Sequence, residues 1–178
     1  MTFLHKLVAT IDALNEKIGT ATSWLTTLLV LVVCYDVFTR YLLRKSSIAV
    51  QEMEWHLFAV IFLMGAAFTL KHDRHVRVDV LYIKFPARVK AWVNFLGSLI
   101  FLVPFSILVI FTCLHFVESS FLIRETSPDP GGLPARYVLK ACIPLAFFLV
   151  LLQGIALAAK SLLTVLQTGK EEDREAHG

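Results

Sequence analysis

The sequence is short of charge. Only 17% of its 178 residues are Asp, Glu, Lys or Arg, against 57% hydrophobic, whereas a water-soluble domain carries about a quarter charged residues. The net charge of +3 is too small for a basic footprint on nucleic acid. Cysteine is scarce too. Cys34, Cys113 and Cys142 all sit inside apolar runs without CxxC spacing, which argues against a disulfide framework or a zinc site and suits small buried hydrophobes. None of the GxSxG, HExxH, GxxxxGK[ST] or GxGxxG patterns occurs, so no catalytic constellation, resident cofactor or metal is expected. The broken, glycine-rich spans that form transporter substrate sites are missing as well.

What fills the space is apolar sequence in long runs, with a mean hydropathy of +0.69. About 20 apolar residues cover the roughly 30 Å of bilayer hydrocarbon. On that measure residues 21–166 form a four-helix transmembrane domain, with spans over 21–43, 51–70, 91–117 and 137–166. Trp24, Tyr41, Trp55, Trp92 and Tyr137 fall near the span ends, as an aromatic belt places them. Pro104 predicts a kink in the third span. Residues 1–20 repeat apolar positions at helical spacing (Phe3, Leu4, Leu7, Val8, Ile11, Leu14) and read as an N-terminal amphipathic helix on the membrane surface, not as a cleavable signal. The polar stretch 167–178 reads as a disordered cytoplasmic tail.

Lysine and arginine give an orientation. Lys6, Lys17, Lys71, Arg74, Arg77, Lys84, Arg88, Lys90, Lys160, Lys170 and Arg174 lie on one side and outnumber Arg40, Arg44, Lys45, Arg124, Arg136 and Lys140 on the other. Both termini and the middle loop are therefore expected in the cytoplasm. The middle loop alternates Val76, Val78 and Val80 with Arg77 and Asp79, a pattern for an interfacial inner loop. The outer loop packs prolines and glycines around Asp129, which predicts a stiff turn.

A few polar groups fall at membrane depth. Asp36 and Arg40 stand one turn apart, a spacing that fits either a structural ion pair or an ion or proton site. The apolar part of the second span, Leu57 to Leu70, is short, so Glu52, Glu54, Trp55 and His56 are drawn toward the outer headgroups. Glu52 and Glu54 face nearly opposite ways; either a protein partner meets one of them or headgroup water solvates both. Gly65-Ala66-Ala67 leaves room for a close helix crossing. His56 and His115 lie near outer span ends, the one arrangement that would suit axial haem ligands.

The stretch AVQEMEWHLFAVIFLMGAAFTLKHDRHVRVDVLY carries Gln51-Glu52, the second span, Gly65-Ala66-Ala67 and His75-Val76-Arg77-Val78-Asp79 in order. Together with YDVFTRYLL before it, this stretch resembles the small, Q-type membrane subunit of TRAP (tripartite ATP-independent periplasmic) transporters. SPDPGGLPARYVLKACIPLAFFLVLLQG further resembles the mannitol/chloroaromatic-type subgroup. The pattern departs at Ala49-Val50, where many members have a tryptophan before the acid. The resemblance implies an all-α, multi-pass protein of the bacterial inner membrane, a non-catalytic scaffold for a large sodium-coupled elevator permease. A periplasmic substrate-binding protein would deliver a small organic acid to the complex. Gln51, Glu52, Glu54, Trp55 and Arg124, Asp129 and Arg136 would then contribute to the outer docking surface. His75, Arg77 and Asp79 would hold the inner loop against membrane or permease, or simply cap a helix end. Competing readings are a haem-bearing anchor of a respiratory enzyme and a self-sufficient small transporter.

Overall fold

A computed structural model describes residues 2–72, 82 and 85–176. The order is α1 (Thr2–Tyr41), α2 (Ile48–Lys71), α3 (Ala87–Gly97), a single π turn (Ser98–Leu102), α4 (Val103–Leu122) and α5 (Arg136–Ala176). No strand occurs among the described residues. Four helical stretches are long and apolar enough to cross a bilayer: Leu4–Tyr41, Ile48–Lys71, Arg88–Leu122 and Arg136–Leu166. The expected spans 51–70, 91–117 and 137–166 fall inside them, whereas the first, 21–43, runs two residues past the end of α1 at Tyr41. His75, Arg77 and Asp79, with the rest of the inner-loop reading, lie outside the described residues.

Pro104 interrupts the regular α-helical bonding of the third span by a specific device. Proline has no N–H to donate and its ring crowds the carbonyl four residues back. The helix widens just before it, and the Val103 N–H reaches the Ser98 carbonyl in a π turn.

Helix α5 is the centre of the bundle. A third of its most apolar window is buried (33%), against 6–11% in the other spans. The α1–α2 pair packs on one flank of α5 and α3–α4 on the other, without substantial contact between α2 and α4. Met64, Ala67, Ala146 and Leu149 form the core between α2 and α5. Small polar residues, Ser98, Ser106 and Ser120, are buried along the third span, where they let helices approach in a medium that gives no hydrophobic drive between them. Most large apolar side chains point outward, among them Trp24, Phe62, Phe101 and Phe111. That suits a protein solvated by lipid.

Residues 2–20 continue into the first span without a break, because α1 runs through Tyr41. Over Leu4–Tyr41 it is about 57 Å long at 1.5 Å per residue, well beyond the hydrocarbon. Its apolar stripe divides: Val8 and Ile11 are buried against Ala156, while Leu7 and Leu14 stay exposed. The segment is thus held by α5, whose own helix continues through Ala176.

Candidate functional site

The polar side chains collect into two knots on the bundle, named outer and inner for the side that the lysine and arginine distribution predicts for each. Glu52 and Lys71 mark them on α2, about 28 Å apart at the helical rise, close to one hydrocarbon thickness.

The outer knot is built on Glu52. Its side chain is buried, and its carboxylate accepts from Ser127 Oγ, from the Leu133 N–H at 2.5 Å and from Arg136 at 3.3 Å. One acid of α2 thereby gathers both halves of the loop between α4 and α5. The loop also closes on itself: Ser127 N–H donates to the Leu133 carbonyl (3.1 Å), Gly132 N–H to Asp129 (3.0 Å) and Arg136 N–H to Glu125 (3.0 Å). Gly132 is required by close approach, since a Cβ there would stand 2.7 Å from Glu52 Oε2. Arg136 also lies 5.6 Å from the Trp55 ring.

Glu125 is a second anchor beside it. It accepts from Lys140 and, at 2.5 Å, from Ser120 Oγ. The Lys140 hydrogen bond first, then that of Ser120, and then the Lys140 and Arg136 charges hold its carboxyl below the usual range, against the opposing effect of burial. Helix α4 ends in a Schellman pair, Glu125 N–H to Ser120 and Arg124 N–H to Phe121. The left-handed residue in that motif is Arg124, φ 47°, where glycine is usual.

The inner knot ties α1 to α5 and α2. Asn15 Nδ2 donates to Gln153 Oε1 (2.7 Å), and Gln153 Nε2 to Asp12 Oδ1 (3.0 Å). Lys160 pairs with Asp12 at 2.7 Å. Glu16 receives Lys71 at 2.5 Å and His72 at 3.0 Å. Just beyond, the Phe68 ring lies against Gly19, and a Cβ there would stand 2.7 Å from Phe68 Cβ.

The residues singled out by sequence scatter across this geometry. Asp36 and Arg40 do pair, with Asp36 almost fully buried and its Oδ1 without a partner. Gln51 donates to Ser46 Oγ (2.8 Å). Glu52 is buried, because the loop's donors close over it. Asp129 and Arg124 are exposed. Glu54 is half-buried, and Gly65 has open space beside it. The histidines do not form a facing pair: His56 Nδ1 lies 2.6 Å from the Glu52 carbonyl, and His115 is 85% exposed on α4 beside Glu118. Asp12, Asn15 and Glu16 were not anticipated. Their i, i+3 and i+4 spacing was a signal, had Gln153 in mid-span been asked for a partner.

The family model for the DctQ component of tripartite ATP-independent periplasmic transporters matches residues 29–164, which include all of α2 and both outer anchors. No individually curated protein matches the chain. Four helices long and apolar enough to cross a membrane and a match over well over half of the chain agree: this chain belongs to the DctQ family, the small permease subunit of TRAP transporters in the inner membrane.

Proposed function

We propose that the chain is a non-catalytic scaffold, which holds a large sodium-coupled permease subunit in place and presents a preformed outer surface to a periplasmic binding protein carrying a small organic acid. The observation that carries this reading is how most of the acids of α1 and α2 are used. Asp12, Glu16, Asp36 and Glu52 each bind a partner within this chain. Charges spent on holding helices together serve rigidity better than passage of a solute.

In this reading both termini are cytoplasmic and the 123–135 loop faces the periplasm, following the lysine and arginine distribution. Glu52 is a positioning residue that keeps the loop in one shape. Exposed Arg124 and Asp129 offer the contacts to the binding protein. A preformed surface binds without the ordering cost of a loose loop.

Reconstitution tests this. Proteoliposomes holding this chain, the large subunit and the loaded binding protein should take up solute along a sodium gradient. Vesicles with this chain alone should take up none, and uptake by the chain alone would overturn the scaffold reading. Charge reversal at Arg124 or Asp129 should slow uptake while the membrane complex stays assembled.

A further inference from the structure

One acid breaks the pattern of internal pairing. Glu54 has no hydrogen bond or ion pair among the described residues, although its Oε1 is shielded from solvent. It lies in the membrane-crossing segment of α2, two residues from Glu52, which has three donors. Glu118, on the third span, is 69% exposed and lies 3.8 Å from His115, whereas Glu54 is half-buried and has no such neighbour among the described residues. A carboxylate shielded from water and left without a donor is costly at the edge of hydrocarbon.

Glu54 shares a helix face with Phe58, Phe62 and Gly65, three or four residues apart in turn. Phe58 and Phe62 are 61% and 71% exposed. Gly65 faces the same way, and a Cβ there would meet nothing within 4 Å. The glycine therefore serves no packing inside this chain, although glycine weakens a helix interior. Its neighbour Ala67, by contrast, is buried against α5. A small residue on an outward face and an unpaired acid about 16 Å further along the axis have one common use in a membrane: a second helix crosses closely at the small residue and brings a donor to the acid.

We infer that the Glu54–Phe58–Phe62–Gly65 face of α2 receives a transmembrane helix of the large permease subunit, closest at Gly65, with a basic side chain of that helix pairing with Glu54. The commitment to a basic partner comes from charge: every other described acid of α1 and α2 already has a cation in this chain, and Glu54 alone still needs one. The inference rests on the scaffold reading above and adds which face meets the permease.

The test is retention of the large subunit when this chain is purified in mild detergent from membranes containing the whole complex. Wild-type chain should retain it; a wild-type chain that retains none would overturn the scaffold reading itself and the inference with it. Gly65→Leu and Glu54→Lys should each reduce retention roughly tenfold or more, as loss of a central interface contact does. Glu54→Gln, which keeps an acceptor, should lose far less than Glu54→Lys. Leu108→Phe, on the exposed face of α4, should leave retention unchanged and controls for general damage to the fold. Wild-type retention in both Gly65→Leu and Glu54→Lys overturns the assignment while leaving the scaffold reading intact. So does a loss of self-association with the permease still bound, which would make the occupant a second copy. An equal loss in Leu108→Phe overturns it also, because the effect would then not be particular to this face.

Discussion

The two polar knots do different work, although each joins three segments of chain around buried polar side chains. The outer knot folds a loop. Glu52 and Glu125 collect residues 120–140, and much of the bonding runs between neighbours in sequence. The inner knot joins helices whose residues are 138 and 141 positions apart through Asn15, Gln153 and Asp12. It therefore fixes the register of α1 against α5. One end sets the shape of a surface and the other sets the packing of the bundle. Substitutions at the two ends should separate local from global stability.

The largest effect is expected at Gln153. Gln153→Leu removes both amide bonds and leaves buried Asn15 and part of Asp12 without partners, a loss of about 2–3 kcal/mol. It should appear as a lower unfolding midpoint in detergent, with reduced exchange protection along both α1 and α5. At the outer knot, Gly132→Ala forces a Cβ against Glu52 and Ser127 and should cost on the order of 1–3 kcal/mol. Here the loss should be confined to faster exchange and proteolysis in 123–135. If Gly132→Ala lowered the global midpoint as much as Gln153→Leu, the division of labour would be wrong.

Acid sharpens the contrast further. The Glu125 carboxyl is held below its usual range by Lys140, Ser120 and Arg136, so its contribution to the loop is complete above its unfolded value near ~4.3. The contribution is lost as pH falls from there through the lowered folded value. Exchange protection of the 120–126 segment should be flat around neutrality and decline below about pH 4. Glu125→Gln should weaken protection at neutral pH and flatten the acid-side decline. An unchanged decline in that variant would mean another group opens the loop.

The outer knot was partly legible in the sequence and the inner one was not, and the reason is physical. An acid at the start of a short span is conspicuous, and so is a loop dense in proline and glycine, because both are costly at a membrane edge. Glu52 and 123–135 could be picked out singly; that they meet depends on α2 and α5 lying side by side. The four spans follow from apolar length alone. In residues 1–20 amphipathic spacing marks a two-faced helix without saying what covers its apolar face. Lipid and α5 look alike to Val8 and Ile11. Only the polar pairing of Asp12 and Asn15 with Gln153 distinguishes them, and that pairing spans almost the whole chain.

The smallest effect bears most directly on function. Arg124 occupies the left-handed position that ends α4, with φ 47°. Any side chain with a Cβ is strained there, and glycine is the residue the backbone prefers. Arg124 is also exposed, and none of the ion pairs at the outer end uses its guanidinium. Arg124→Gly should therefore leave stability unchanged or raise it by about 0.5–1 kcal/mol, read as slower exchange at the end of α4. On the proposed docking role, uptake by the full complex should nonetheless fall, because the charge that would contact the binding protein is gone. A substitution that firms the loop yet weakens transport separates docking from folding at the outer knot. If uptake rose with stability, the arginine would be incidental, and the outer knot would serve shape alone.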